Sequence, residues 1–422
     1  MKTMSKWLVI TAAAVLITGC NYGAGTFVCS ASSECTGGPG GVCEPNGFCS
    51  FDDSNCPAPG RRYGSLSGPQ AGRCVGEEQQ VDAGTNPTND GPPDAQTCFG
   101  TGLLQICLEN APTGSMTPSG TINTDTSSMC AKVKSGGNYC VLAASTISIE
   151  SKLRATGMRP LVLIASGSIT TTATIDVGSH RGVTPETGAG ADPTVCAAGT
   201  PPGTGAGGAG GSFTGLGGAG GIGGPGAGNP GGTPGAVAGA VTELRGGCSG
   251  QDGQGGAADK GLKGHGGGAV FLIAGSSIQI GGGINAAGEG GAGGLGNISG
   301  GGGGGAGGMI GFDAPQITCS SLLLATGGGG AEGSDTAANT PGANGSDPST
   351  TAAAGGGTGN NGRGGDGGSG SVASATPGTV GGAGDVSGTN HGGGGGGGGG
   401  AGLIKAPITA TLGAQVAPTA TP

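Results

Sequence analysis

Acidic and basic side chains gather around two short segments of this 422-residue chain. Glu150, Lys152 and Arg154 alternate with apolar or small residues along one segment, and Asp176 ends the next similar segment. Acids and bases paired in a cleft perform general acid–base chemistry, including the hydrolysis of glycosidic bonds. A solvated outer strand face accounts for the same residues. We therefore expect Glu150, Lys152, Arg154 and Asp176 as candidate glycan contacts, and no catalytic residue.

Other reactive patterns point away from cofactors and metals. His180, His265 and His391 are far apart and lack the spacing of metal-binding motifs. The glycine-rich stretches match GxGxxG by chance, but no strand–helix unit or downstream acid accompanies them, so no dinucleotide site is expected. The formal net charge is −9 and aromatic residues are 3% of the chain, a composition that disfavours nucleic acid as a partner.

The N-terminus has the layout of a signal peptide. Lys2 and Lys6 flank the start of an apolar stretch at 7–17 that is too short to span a bilayer. The stretch ends in Leu16-Ile-Thr-Gly-Cys20, which resembles the lipobox of bacterial lipoproteins. That resemblance implies cleavage after residue 19, thioether lipidation of Cys20 and a membrane partner through this anchor. An ordinary signal peptide with an accidental cysteine is the alternative.

The remaining cysteines suit an oxidising compartment, and their number is odd once Cys20 is set aside. A module at 29–75 cannot bury enough apolar surface to fold without bridges, and its cysteines lack the paired spacing of a zinc site. Fifteen pairings of its six cysteines are open. These are Cys29, Cys35, Cys43, Cys49, Cys56 and Cys74.

Further cysteines flank the predicted β-rich region. Four of them are expected to staple an N-terminal β cap at 98–140: Cys98, Cys107, Cys130 and Cys140. Cys196 and Cys248 enclose the first glycine-rich stretch, so a bridge at its base is expected. Cys319 lies inside a strand-like segment and is the candidate for the unpaired, buried thiol.

A recurring frame organises the rest of the chain. An apolar residue, five positions and another apolar or small residue recur, starting at Ile147, Ile169, Ile278, Ile317 and Ile408. The first step of 22 residues suits one coil of a parallel β-helix, and the longer steps contain glycine-rich sequence. We predict an all-β fold, a parallel β-helix or solenoid with long glycine-rich insertions, preceded by a small disulfide-rich module.

The predicted boundaries follow from these patterns. They are a signal peptide at 1–19, a lipidated tether at 20–28, the module at 29–75, an acidic Pro/Gly linker at 76–97, the cap at 98–140, the β-helix at 141–415 and a disordered tail at 416–422. In the first frame, Ile147, Ile149, Ser151 and Leu153 are predicted to point inward, opposite the charged residues.

Glycine accounts for 110 residues and leaves two interpretations open. Ordering glycine is entropically costly, which favours flexible surface loops. Alternatively, stretches such as 205–211 adopt a polyproline-II-like form with three residues per turn and pack side by side through backbone hydrogen bonds.

The whole layout resembles the glycine-rich, cysteine-containing lipoproteins of myxobacteria-like Gram-negative bacteria. The segments that carry the likeness are the lipobox, 43–49, 56–63 and 161–169, and the glycine blocks also resemble mycobacterial PGRS repeats without their helical domain. The likeness implies a lipid-anchored protein of the outer membrane or cell surface, acting without catalysis as a spacer, adhesin or matrix component. Surface glycans or other envelope proteins are its expected partners.

A polysaccharide-binding or polysaccharide-degrading β-helix protein is the alternative function. A scaffold that binds a partner through the module at 29–75 is a third possibility.

Overall fold

The computed structural model describes residues 27–422 except 46, 68–69, 76–96, 183–185, 225–228, 256–258, 297, 336–339, 350–353, 359–361, 387–390 and 414. The predicted signal peptide, Cys20 and nearly all of the predicted linker lie outside this part. The chain divides into two compact units, residues 1–91 and 92–422. Among the described residues, secondary structure is β apart from a 3-10 turn at Ser32–Glu34, and no helix has the length and apolarity to cross a membrane.

The first unit is a small antiparallel sheet held by disulfides. Its strands are β1 (Val42–Cys43), β2 (Cys49–Asp52) and β3 (Arg61–Tyr63), in the order β1-β2-β3. The bridges are Cys29–Cys43, Cys35–Cys49 and Cys56–Cys74. Its buried cluster consists of cysteines with Phe51 packed against them, so the bridges replace an ordinary apolar core and stabilise the unit by about 2–5 kcal/mol each.

The second unit begins with another antiparallel sheet, in the order β4-β5-β8: β4 (Cys98–Phe99), β5 (Ile106–Leu108) and β8 (Val133–Ser135). The Cys98–Cys107 disulfide joins its first two strands, and Cys130–Cys140 ties the segment after β7 to the strand β9 described below. Phe99 and Ile106 of this sheet share a buried cluster with Val162 and Ile164. The sheet therefore covers part of the parallel structure that follows.

Three parallel sheets form the body of the second unit. Sheet I contains β6 (Ser115–Met116), β10 (Thr146–Ile149), β13 (Ser168–Thr171), β16 (Ser277–Ile280), β19 (Gln316–Cys319) and β22 (Thr411–Leu412). Sheet II contains β7 (Gly120–Asn123), β11 (Leu153–Thr156), β14 (Ile175–Asp176), β17 (Ile284–Asn285), β20 (Leu323–Leu324) and β23 (Val416–Ala417). Sheet III contains β9 (Cys140–Ala144), β12 (Leu161–Ala165), β15 (Ala269–Ala274), β18 (Met309–Asp313) and β21 (Leu403–Lys405).

The register confirms four positions of the predicted frame. Ile147 pairs with Ile169, Ile169 with Ile278, and Ile278 with Ile317. The second apolar position stacks in the same way in sheet II, from Leu153 through Ile175 and Ile284 to Leu323. Inward-facing residues of all three sheets form one buried cluster. Branched apolar side chains stacked on identical or similar neighbours therefore build the core.

The fifth predicted position is wrong. Ile408 is 85% exposed, and Thr411 pairs with Thr318, which places Ala410 beside Ile317. The hydrogen bonds between β19 and β22 set this register. In the last coil, Ala410 packs against the core at the position that isoleucine occupies in the earlier coils. The predicted disordered tail is also wrong, because β23 pairs with β20 and the Thr421 amide donates to the Ile404 carbonyl at 2.8 Å.

The predicted alternation across 147–154 fails after Ile149. The chain leaves sheet I there and enters sheet II at Leu153, so 150–152 form a corner between two strands. Ser151 is exposed instead of sharing the direction of the isoleucines, whereas Leu153 and Arg154 keep their predicted opposite directions because they are neighbours on β11. A period of two holds within one strand, and the corner restarts it on a new sheet. The parallel sheets also begin earlier than predicted, since β6 and β7 pair with β10 and β11.

All three long insertions leave the sheets at the same place, between a strand of sheet II and the next strand of sheet III. They are residues 177–268, 286–308 and 325–402, and their described residues are here called the glycine bundle. The bundle packs on the outer face of sheet III, where Phe213 and Ala306 meet Phe271 and Met309. The Cys196–Cys248 disulfide lies within the first insertion, as expected, and Cys319 is unpaired and buried in sheet I.

Backbone hydrogen bonds in the bundle repeat every third residue. In segment 299–308, successive N–H groups donate to three different neighbouring segments and then return to the first. Gly301 donates to Gly394, Gly302 to Ala292 and Gly303 to Gln251, after which Gly304 returns to Gly397, Gly305 to Glu289 and Ala306 to Cys248. Three further segments donate to carbonyls of the same stretch, from Gly208, Gly264 and Ala331 among others. Segment 299–308 thus has six hydrogen-bonded neighbours.

This arrangement agrees with the packed interpretation of the glycine sequence and overturns the loop interpretation for these segments. A repeat of three matches the three residues per turn of a polyproline-II-like chain, which has no internal hydrogen bonds and so offers every group to its neighbours. Only glycine admits such close neighbours: a β-carbon at Gly302 would overlap the carbonyl of Leu262, and one at Gly303 that of Ala209.

Candidate functional site

Polar residues stack on the outer face of sheet II, one on each successive strand. Thr121 pairs with Arg154, Arg154 with Asp176, and Asp176 with Asn285. Because neighbouring parallel strands lie about 4.8 Å apart, side chains at equivalent positions meet directly. This ladder explains how residues far apart in the sequence form one charged cluster.

The carboxylate of Asp176 is the centre of the cluster. Its Oδ1 lies 3.0 Å from Arg154 Nη1 and 3.0 Å from His180 Nε2, and it accepts from the Asn285 amide at 3.2 Å. Its Oδ2 lies 2.9 Å from Lys152 Nζ. The Asp176 side chain is only 3% exposed, so every accepting direction is taken up inside the protein.

These contacts set the charge of Asp176. Burial alone raises its pKa, but the hydrogen bond with His180, the charges of Arg154 and His180 and the hydrogen bond with Lys152 outweigh burial and hold the pKa well below its ordinary value. The carboxylate is therefore ionised throughout the physiological range. A general acid must carry a proton and a general base works best with a pKa near the ambient pH, so Asp176 suits neither task.

A cleft of about 530 Å³ opens beside the cluster, lined in part by Lys152, Arg154, His180 and Glu186. Arg154 Nε lies 3.4 Å from Glu186 Oε2, outside the geometry of a hydrogen bond, so this contact is an ion pair. The side chains of Lys152 and Glu186 are 63% and 56% exposed. One accessible ammonium and one accessible carboxylate can contact a ligand, but they do not supply the two carboxyl groups that most glycosidases use.

The structure brings together three of the four predicted glycan contacts. Lys152, Arg154 and Asp176 meet, whereas Glu150 is exposed in the corner after β10 and does not line the cleft. His180 and Glu186 belong to the cluster and were missed. His180 lies four residues after Asp176 in the sequence. That spacing predicts a side-chain contact only in a helix, so it could not identify the pair in this β fold. The interpretation of Arg154 and Asp176 as a solvated outer face is wrong, because both side chains are buried.

A second charged group joins the first two insertions of the glycine bundle. Arg181 Nη2 lies 2.8 Å from Glu289 Oε1, and its guanidinium also donates to the carbonyls of Gly290 and Lys263. Glu289 is fully buried, and this burial raises its pKa even though Arg181 acts in the opposite direction. Arg181 thus joins backbone and side-chain acceptors from two insertions.

Beside it, His265 Nδ1 lies 2.6 Å from Asp192 Oδ2. The hydrogen bond with Asp192 raises the pKa of His265, against the opposing effect of burial. His180 and His265, expected to be loop residues, therefore both lie within the charged groups that hold the first insertion in place.

Metal-ligand geometry occurs once within the described residues, at Cys29, Cys35 and Cys49. All three sulfurs belong to disulfides, Cys29 with Cys43 and Cys35 with Cys49. Because a metal-binding cysteine must be a thiolate, this group does not fit a metal ion.

Comparison with known proteins supplies no further assignment. No protein-family model matches the chain, and neither the curated proteins nor the solved structures contain a significant match. The function is therefore inferred from the chain's own chemistry.

Proposed function

We propose that this protein is an exported, lipid-anchored scaffold of the bacterial outer membrane or cell surface, acting without catalysis as a spacer, adhesin or matrix component. The observation that supports this best is the internal use of its charged groups. Asp176, Arg154 and Glu289 bind other parts of the chain, where they fasten the glycine bundle, and none presents a free reactive group. The six disulfides among the described residues suit an oxidising compartment.

We also propose that the three parallel sheets are the faces of a β-helix. From β9 onward the strands visit sheets III, I and II in the same order five times, and each step returns to the position above its predecessor. The corners 150–152, 157–160 and 166–167 are short, as a coil requires. Insertions confined to one corner are compatible with such a stack because they leave its ladders intact.

Lipid attachment is tested in a Gram-negative host that carries lipoprotein-processing enzymes. The full chain should incorporate labelled palmitate and fractionate with the outer membrane, whereas a Cys20→Ser variant should incorporate none. The matched control variant, Cys319→Ser, should incorporate palmitate like the wild type, because Cys319 is buried in sheet I. Labelling that persists in Cys20→Ser would contradict the anchor.

The absence of catalysis is tested separately with purified protein. Reducing ends should not accumulate when it is incubated with acidic or neutral polysaccharides. Turnover that disappears in Glu150→Gln or Asp176→Asn would overturn the scaffold assignment in favour of a polysaccharide-degrading enzyme. An Asp176 variant is interpreted only if circular dichroism shows that it is folded, since this residue also holds Arg154.

A further inference from the structure

The outer face of sheet I carries two parallel rows of small uncharged polar side chains. One row contains Ser148, Thr170, Gln279, Thr318 and Thr411, which pair in this order across five coils. The other contains Ser115, Thr146, Ser168, Ser277 and Gln316, at the position two residues before. Between the rows, Ile147, Ile169, Ile278 and Ile317 point into the core. The motif is therefore polar–apolar–polar on every coil.

This face differs from the other two sheet faces in the second unit because its outward side chains are half-buried or exposed. Sheet III is covered by the cap and the glycine bundle, and sheet II carries the buried charged cluster. On sheet I, Thr146, Gln279, Gln316, Thr318 and Thr411 are all exposed. Ser148 and Thr170 are half-buried and share a hydrogen bond of 3.0 Å, whereas the polar side chains of the later coils are displayed to solvent in register.

The spacing is regular in both directions. Rungs repeat at about 4.8 Å along the stack, and the two rows are about 6.7 Å apart along each strand. Near the last coils, Gln279, Thr318 and Thr411 line a groove of about 390 Å³ that runs across the strands. A ligand that follows the groove meets a new hydrogen-bonding group at each coil.

We propose that this face binds an extended, uncharged polysaccharide chain lying across the coils. Hydroxyl and amide groups both donate and accept hydrogen bonds, as sugar hydroxyls do. The two rows contain no ionisable side chain, so they offer no attraction to an acidic glycan or a phosphate. They also contain no large apolar side chain to bind a lipid or an amphipathic helix.

A flexible chain fits the face better than a rigid crystal surface such as ice. Gln279 and Gln316 reach further from the sheet than the serines and threonines beside them, so the polar ends do not lie in one plane. A polysaccharide can adjust its torsions to such steps. This site is separate from the charged cluster of sheet II and does not depend on the lipid anchor.

The test is co-sedimentation of the purified full chain with regenerated cellulose and with chitin, with soluble polygalacturonate added as an acidic competitor. We expect retention on at least one neutral polymer, little change between 50 mM and 500 mM salt (about a threefold shorter screening length) and no displacement by polygalacturonate. A variant with Thr170→Val, Thr318→Val and Thr411→Val should bind at least tenfold more weakly. Valine suits strands, so this variant should remain folded.

The matched control replaces three exposed threonines outside the sheets, Thr242, Thr358 and Thr376, by valine and should bind like the wild type. The single change Gln279→Ala provides a second variant, with an expected loss of about threefold. Failure to bind either neutral polymer overturns the proposal. So does equal loss in the test and control variants, or retention abolished by salt. Inhibition of ice recrystallisation without glycan binding would assign the face to ice instead.

Discussion

Replacing Gly302 by alanine should destabilise the protein strongly, although the residue lies in a run of glycines. Gly302 is buried in segment 299–308, and its β-carbon would overlap the carbonyl oxygen of Leu262. Backbone cannot rotate away as a side chain can. The neighbouring segment must therefore shift to make room for the added methyl group.

The cost is the sum of crowding and lost hydrogen bonds. The Gly302 amide donates to Ala292 and its carbonyl accepts from Ala331, both at 2.9 Å. Overpacking costs about 1–3 kcal/mol, and each buried backbone group left unpaired adds about 1–3 kcal/mol. With partial relaxation, we expect the free energy of unfolding to fall by about 3–6 kcal/mol.

The assay is denaturant unfolding followed by circular dichroism, with Gly239→Ala as the matched control. Nothing lies within 4 Å of a β-carbon at Gly239, and the residue is exposed. Alanine restricts the unfolded chain, so this control should be unchanged or more stable by about 0.4–1 kcal/mol. Hydrogen exchange should also show slow amides in 299–308 of the wild type.

The two interpretations of the glycine sequence predict opposite signs for Gly302→Ala. A flexible loop would be stabilised slightly, as at Gly239, because only the unfolded chain loses freedom. Equal effects of the two substitutions, or fast exchange throughout 299–308, would refute the packed bundle.

Two substitutions and one titration probe the charged groups and the first insertion. Asp176→Asn should cost about 3–5 kcal/mol of stability in thermal unfolding, because it leaves Arg154 buried without its anion; a loss below about 1 kcal/mol would contradict this. The pKa of Asp176 is depressed, so its contribution is present above about pH 4 and is lost as pH falls towards the folded pKa, and the variant should lose that acid dependence. The pKa of His265 is raised, so its contribution is present below about pH 6.5 and is lost as pH rises through the folded pKa; an imidazole NMR titration with a midpoint below 6.5 would disprove the pairing. Replacing Cys196 and Cys248 together by serine should remove about 4 kcal/mol by the loop-closure relation for a separation of 52 residues, and unchanged denaturant unfolding would argue against the bridge.

The sequence frame found the coils where two apolar side chains keep the same spacing within each coil, whatever the length of the insertion between coils. Ile147, Ile169, Ile278 and Ile317 satisfy that rule because each packs on the previous one. Ile408 has the same sequence spacing but lies in an exposed turn. Only the hydrogen bonds between the strands of the last coil show that Ala410 is the stacked residue.

The charged cluster was predictable only where its members lie on strands. Arg154 and Asp176 lie in register on β11 and β14, and Lys152 flanks β11. Glu186, in contrast, approaches Arg154 only because of the path that the first insertion takes. No local pattern records that path. One sequence pattern does indicate the bundle. Leu216, Ala219 and Ile222 recur at intervals of three, and they are the outward residues of a glycine segment that is otherwise buried.

The hydrogen-bond pattern of the bundle limits how its segments can change in length. Each residue along segment 299–308 faces a direction a third of a turn from the last, and the fourth faces the first neighbour again. Inserting or deleting one residue would rotate every later donor and acceptor onto the wrong segment. Gain or loss of three residues restores all six neighbours, so viable length variants of these segments should differ by whole triplets.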